Sequence, residues 1–226
     1  MSRLKDLVLG ALGRRRRKRR PFTDPLHHNS RENMDCFYGD DDTVERYVDQ
    51  ARLDFYAEVA DFIETHGVAI NGRRVLDAGC GTGHLLREIQ RRYQPQSLTG
   101  LDFSEQAVRR TGQFCPDADC RQFDLYQPLA EQFDVVFCLE VLEHLLHPDR
   151  ALHNLLAATA EQGAVILTVP DGRQDTYEGH LNFWSPESWR VFLDDHAPGF
   201  RPAVGLLEDD RVNAAILVRE TDTVGS

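Results

Sequence analysis

The segment Val75-Leu76-Asp77-Ala78-Gly79-Cys80-Gly81-Thr82-Gly83-His84-Leu85-Leu86 constrains the fold of this chain more than any other. An apolar run ends in an acid, glycines occupy every second position, and apolar residues then resume. The pattern reads as a buried strand that turns sharply into a helix. Glycines let the backbone turn tightly and approach a ligand, and the free N–H groups at the helix start favour a polar or anionic group. A dinucleotide-binding loop requires G-x-G-x-x-G, and the third position of that pattern falls on His84.

The rest of the chain continues the alternation. Candidate strands lie at 73–78, 97–102, 118–123, 133–139 and 164–169, and candidate helices at 83–92, 104–114, 149–160 and 186–196. Strands separated by helices predict an α/β fold, with a mostly parallel sheet covered on both faces. Residues 202–207 and 212–219, joined by Glu208-Asp209-Asp210, predict an antiparallel C-terminal hairpin. Upstream, apolar positions from Val44 to Ile63 recur at the helical period, with Asp41 or Asp42 as start and Gly67 as stop. Residues 21–40, with Pro21, Pro25, Asn29, Ser30 and Gly39, read as an irregular linker. The expected organisation is a basic amphipathic tail (1–20), a linker and cap helix (21–70), and the α/β domain (71–226).

A chain of 226 residues builds one good core and leaves little room for a second full domain. No apolar run approaches the roughly 18 residues of a membrane span. The cysteines Cys36, Cys80, Cys115, Cys120 and Cys138 include no C-x-x-C pair, which argues against a disulfide framework and for a cytoplasmic location. The net charge of −11 conceals an asymmetry, because residues 1–20 hold nine Lys/Arg against the single acid Asp6. The strongly acidic remainder repels polyphosphate backbones, so a nucleic-acid substrate is disfavoured. In the tail, Leu4, Leu7, Val8, Ala11 and Leu12 at helical spacing precede the basic run. That is a two-part signal for weak peripheral contact with the inner face of a membrane, set against a solvated tail that folds back on the acidic body.

The G-x-G-x-G spacing, with an acid two residues before its first glycine, resembles the first motif of the class I S-adenosylmethionine-dependent methyltransferases. The resemblance implies a Rossmann-like, seven-stranded sheet with its last hairpin reversed, S-adenosylmethionine as cofactor, and 71–226 as the methyltransferase domain. Asp77, Gly79, Cys80, Gly81 and Gly83 then form the cofactor loop. Asp102, at the end of the second strand, accepts from the ribose hydroxyls, for which a carboxylate has two suitable oxygens. Phe103 lies against the adenine, Asp124 accepts from its amino group with Leu125 alongside, and Leu139 completes the cofactor wall. N-terminal helices cap the substrate, with Tyr38, Tyr47, Phe55 and Tyr56 as candidates.

Glu140, Glu143 and His144 stand at i, i+3 and i+4, so a helical turn presents all three on one face. The surrounding Glu-Val-Leu-Glu-His resembles a motif of the quinone O-methyltransferases, and His180 before an aromatic pair and a Ser-Pro-Glu helix start is also similar to that family. Two mechanisms fit. In one, His144 or His180, with Glu143 beside them, removes a proton from the attacking group. In the other, Glu140, Glu143, His144 and His180 hold a divalent metal, Mg²⁺, Mn²⁺ or Zn²⁺, a set related to that of a family of small-RNA 2′-O-methyltransferases. The bland alternative is a pair of acids compensating a helix dipole. The expected function is O-methylation of a small-molecule substrate: a quinone or phenol precursor, a natural-product intermediate or a sugar. N-methylation of a small amine is the alternative, and a non-catalytic cofactor-binding module recruited by the tail is the rival from another class. The oligomeric state is left open.

Overall fold

Strands in a parallel sheet covered by helices are apolar on both faces, and the central strands here are buried almost end to end. The computed structural model describes residues 25–220, so the basic tail at 1–20 lies outside the described residues. The strands are β1 (Arg74–Ala78), β2 (Ser97–Asp102), β3 (Asp119–Gln122), β4 (Phe133–Leu139), β5 (Thr159–Pro170), β6 (Phe200–Leu207) and β7 (Val212–Arg219). They form one seven-stranded sheet in the order β3-β2-β1-β4-β5-β7-β6. Strands β1 to β5 run parallel, and β7 is antiparallel to both β5 and β6. The order reverses between β1 and β4, where Asp77 pairs with Phe137. The carboxyl ends of two such strands bound the crevice in which open α/β sheets bind ligands.

Side chains alternate across the sheet and build a core on each face. Four helices follow β1: α5 (His84–Arg92), α6 (Glu105–Phe114), α7 (Pro148–Ala157) and α8 (Pro186–His196). On one face Val75, Val135, Phe137 and Ile166 meet Leu86 and Ile89 of α5. On the other Leu76, Val136, Val165 and Leu167 meet Leu152 and Leu155 of α7 and Trp189 and Leu193 of α8. No helix among the described residues is long and apolar enough to cross a membrane.

The N-terminal region departs from the sequence expectation. Part of the irregular linker at 21–40 is helical, as α1 (Pro25–His28) and α2 (Arg31–Gly39). Ser30, a turn-former by composition, is the N-cap of α2 and accepts from Asn33 N. The single helix expected after Asp41 is two, α3 (Asp41–Tyr47) and α4 (Gln50–Thr65). The break occurs because Asp49 adopts an extended backbone and caps α4 by accepting from Arg52 N. Phe55, Val59 and Ile63 of α4 bury against the face that α5 covers. Strand β5 begins at Thr159 rather than 164, past a register shift against β4.

Candidate functional site

The glycine loop is tied to the neighbouring strand. Gly79 N and Cys80 N both donate to Leu101 O, at 2.7 and 2.9 Å. Asp102 Oδ2 accepts from Gly81 N at 3.0 Å while its Oδ1 accepts from Ser104 N at 2.9 Å. A cavity of about 350 Å³ opens over this turn. Gly79, Cys80, Gly81, Asp102, Phe103, Asp124, Leu125 and Leu139 line it. Asp77 and Gly83 stand outside the lining: Asp77 is buried in β1, and Gly83 is the left-handed N-cap of α5. Burial, with the charge of Asp102 nearby, lifts the Asp77 carboxyl to about 8. Burial lifts Asp102 to about 6 even though the Ser104 and Gly81 N–H groups favour its ionised form. Asp124 is exposed and accepts from Tyr126 N at 2.9 Å.

The N-terminal helices form the opposite wall, with Tyr38, Tyr47, Phe55 and Tyr56 all lining the cavity. Helix α2 is pinned to α6: Ser104 Oγ donates to Asp35 Oδ1 at 2.6 Å, and Arg110 donates to Tyr38 O and to Asp41. Sequence reasoning passed over Arg52. Its guanidinium lies 4.9 Å from the Tyr47 ring centre and 5.6 Å from that of Phe55. It lines the cavity and makes no salt bridge among the described residues. The available signal was an arginine set among the aromatics of the cap, though Arg46 beside Tyr47 offers the same one.

At the end of β4 the chain bends sharply. Glu140 has φ 55, a left-handed conformation uncommon for a side chain of its size, and a single 3₁₀ turn follows at Leu142–His144. The helical turn expected to carry Glu140, Glu143 and His144 on one face is therefore not formed. Glu143, His144 and His180 come together, one ligand atom from each lying within 4.8 Å of the others. Glu140 falls outside that group and lines the cavity instead. The long-range partner arrives because Leu181 N and Asn182 N donate to Glu143 O, at 2.8 and 3.1 Å. Asn182 Nδ2 adds a bond to Leu145 O at 2.7 Å. These bonds stitch the loop after β5 onto the turn after β4.

Inside the cluster, Glu143 Oε1 is 3.8 Å from His144 Nε2 and 3.9 Å from His180 Nε2. The other ring nitrogens are occupied: His144 Nδ1 by Asn29 Oδ1 at 3.0 Å, and His180 Nδ1 by Asp175 Oδ2 at 2.5 Å. Glu143 is 1% exposed, and neither carboxyl oxygen has a hydrogen-bond partner among the described residues. Burial holds its carboxyl well above the ordinary range, with Glu140 adding to the shift, and burial lifts Glu140 to about 7. Burial, then the facing His180, lowers His144 to about 4, so this imidazole is neutral at pH 7. Once the Glu143 proton leaves, three acceptor atoms converge here, an arrangement suited to a cation or to the proton of a bound hydroxyl. Only His144 of the three reaches the cavity wall.

A family model described as a methyltransferase domain matches residues 44–201. The chain belongs to this family. The ubiquinone biosynthesis O-methyltransferase of Idiomarina loihiensis is 35% identical over 113 residues, 46% of this chain and 45% of that protein. The protein of the same name from Alkalilimnicola ehrlichii is 30% identical over 138 residues, 58% of this chain and 52% of that one. The chain spans about half the length of the curated relatives it matches. Among solved structures, the N-methyltransferase NodS from Bradyrhizobium japonicum, in complex with S-adenosyl-L-homocysteine, superposes with TM-score 0.68 at 17% identity, over 85% of this chain and 100% of that one. Magnesium protoporphyrin IX methyltransferase from Synechocystis, with bound S-adenosylhomocysteine, superposes with TM-score 0.63 at 21% identity, over 87% and 98%. The fold is thus the Rossmann-like fold of S-adenosylmethionine-dependent methyltransferases. Helices α1 and α2 and the turn between them precede the matched methyltransferase span, yet they supply Leu26, Asn29, Met34 and Tyr38 to the cavity.

Proposed function

We propose that this chain transfers a methyl group from S-adenosylmethionine to an oxygen of a small hydroxylated molecule, with Glu143, His144 and His180 holding a divalent cation at the acceptor end. The cavity residues fit the cofactor. Asp102 keeps lone pairs for a vicinal diol, Phe103 and Leu125 offer apolar surface to a planar base, and Arg52 offers guanidinium donors to a carboxylate. When bound, the cofactor supplies an electrophilic methyl on a sulfonium, which becomes a neutral thioether once the methyl has moved.

The observation that carries the acceptor-end reading is the convergence of Glu143 Oε1, His144 Nε2 and His180 Nε2 around a buried carboxyl with no partner. One carboxylate and two imidazoles, each imidazole held through its other nitrogen, suit Mg²⁺, Mn²⁺ or Zn²⁺. Such a cation supplies Lewis acidity that lowers the pKa of a hydroxyl. Phe55, Val141 and Leu145 give the cavity an apolar wall, which favours a dry pocket, and Tyr47 and Tyr56 line it with them. A metal-free reading is favoured by one observation, that His144 alone of the three lines the cavity. There its bare Nε2 takes the hydroxyl proton directly.

Calorimetric titration with S-adenosylhomocysteine, with and without EDTA, tests the cofactor first; micromolar binding insensitive to EDTA is expected. Methyl transfer to a panel of phenols and catechols is then expected to stop with EDTA and return with added metal. Transfer that survives EDTA but is lost in His144→Ala moves the mechanism to the metal-free base. Full turnover after replacing both His144 and His180 overturns both, and absence of cofactor binding overturns the function itself.

A further inference from the structure

The tautomer of His144 is set from the far end of the chain. Gly179 O can only accept, so the group of Asn29 that meets it at 2.8 Å is the Nδ2 amide. The other end of the same amide is then fixed as Oδ1, which also only accepts, and it faces His144 Nδ1 at 3.0 Å. His144 therefore carries its proton on Nδ1 and leaves Nε2 bare toward Glu143 and His180. His180 has an equivalent partner in Asp175, five residues away on its own loop. Asn29 is different: it lies 115 residues from His144, in the turn between α1 and α2, and outside the matched methyltransferase span.

We infer that Asn29 is a positioning residue, through which docking of the α1–α2 cap selects the Nδ1–H tautomer of His144 and so completes the acceptor end of the site. The inference rests on the role given to His144 above. The Gly179 backbone also hydrogen-bonds the His144 ring, and Asn29 holds that carbonyl as well as Nδ1. Without Asn29 both constraints loosen and the ring turns to Nε2–H, the tautomer that free imidazoles prefer. Its N–H would then point at Glu143, and one of the three convergent acceptors would be lost. The same amide also holds Gly179, the residue before His180, so one side chain braces both imidazoles against the cap.

Long-range proton–nitrogen spectra of ring-labelled, metal-free protein read the tautomer directly, with His144 assigned by the signals lost in His144→Gln. The expected wild-type pattern is a protonated Nδ1 and a bare Nε2. Asn29→Ala is expected to move His144 to Nε2–H, with far-UV dichroism retained. At saturating cofactor it should also lower kcat by about ten- to hundredfold, the usual effect of removing a partner that orients a ligand. Asn29→Asp still accepts from Nδ1 but gives up the donor to Gly179 O, so it is expected to restore the wild-type tautomer with only part of the turnover. An Nε2–H tautomer in the wild type, or an unchanged one in Asn29→Ala, overturns the inference. Because the spectrum needs no turnover, a tautomer that responds to Asn29 in a protein that methylates nothing would leave this inference standing and remove the functional one.

Discussion

At Gly79 the backbone has φ 91, and the place a Cβ would take lies 2.4 Å from Val141 Cγ2. Gly79→Ala therefore combines the left-handed penalty of about 1–2 kcal/mol with displacement of the residue that follows Glu140. The expected result is a melting temperature lowered by several degrees and a cofactor affinity at least tenfold weaker by calorimetry; an unchanged affinity would show that the loop does not meet the ligand. Glu143→Gln should behave oppositely. Its buried, partnerless carboxyl must hold a proton that the unfolded chain releases at pH 8, so a neutral amide removes that penalty, and the amide has donors for the bare imidazoles. Melting at pH 8 should match or exceed that of the wild type, while methyl transfer falls by two orders of magnitude or more. A destabilised variant would mark Glu143 as structural. Such residues differ in how far the sequence exposes them. Gly79, Gly81 and Asp102 belong to local patterns at the ends of two adjacent strands, and Glu143 and His144 are neighbours in the chain. Asn29, Arg52 and Asp175 are ordinary residues of a turn, a helix and a loop until folding brings them to the cavity and the cluster.

Helix α2 contributes no buried residue, yet its Tyr38 hydroxyl stands 3.1 Å from where a Cβ on Gly81 would be. A helix without a buried face is held by its caps and its ties, here chiefly Asp35 to Ser104 and Arg110 to Tyr38 O and Asp41. Asp35→Ala removes a hydrogen bond to a charged group, worth roughly 1.5 kcal/mol. Its loss should weaken S-adenosylhomocysteine binding by about tenfold and speed amide exchange across 31–39 in the free protein. Slow exchange there, with unchanged affinity, would show that α2 is held by other contacts. The same physics explains which elements were legible. Strand β4 is a nearly continuous apolar run because both of its faces are covered, β1 and β2 are shorter ones between helical segments, and the limits of all three follow from the sequence to within a residue. Helix α2 reads Arg-Glu-Asn-Met-Asp-Cys-Phe-Tyr-Gly, and its apolar positions Met34, Phe37 and Tyr38 span barely one turn after a stretch of turn-formers, too short a stripe to mark a helix. The break before α4 depends on Asp49 capping a helix whose apolar periodicity runs straight through it.

Taken as a whole, the molecule concentrates ionisable carboxyls where water is scarce, and this sets how its stability responds to pH. Burial lifts Asp102 to about 6, Glu140 to about 7 and Asp77 to about 8, and holds Glu143 well above the ordinary range. In the unfolded chain these groups titrate near 4. Between that value and their folded ones, the native state keeps protons that the unfolded state has released, so stability falls as pH rises. His144 acts the other way: lowered to about 4, it contributes stability that is present above its unfolded value of about 6.5 and lost as pH falls toward 4. The window from pH 6.5 to 8 therefore isolates the acids. One proton retained across one pH unit is worth about 1.4 kcal/mol, so the free protein should lose several degrees of melting temperature across that window. Glu140→Gln should flatten the slope, because it removes one of the titrating groups while leaving Asp77 and Asp102 in place. A cationic ligand should flatten it as well by favouring the ionised carboxyls, and S-adenosylmethionine, with its sulfonium, should do so more than S-adenosylhomocysteine. Melting curves at several pH values, free and with each ligand, separate these effects. A free protein whose stability is level or rising from pH 6.5 to 8 would mean that the buried carboxyls are already ionised and find their counter-charge within the chain.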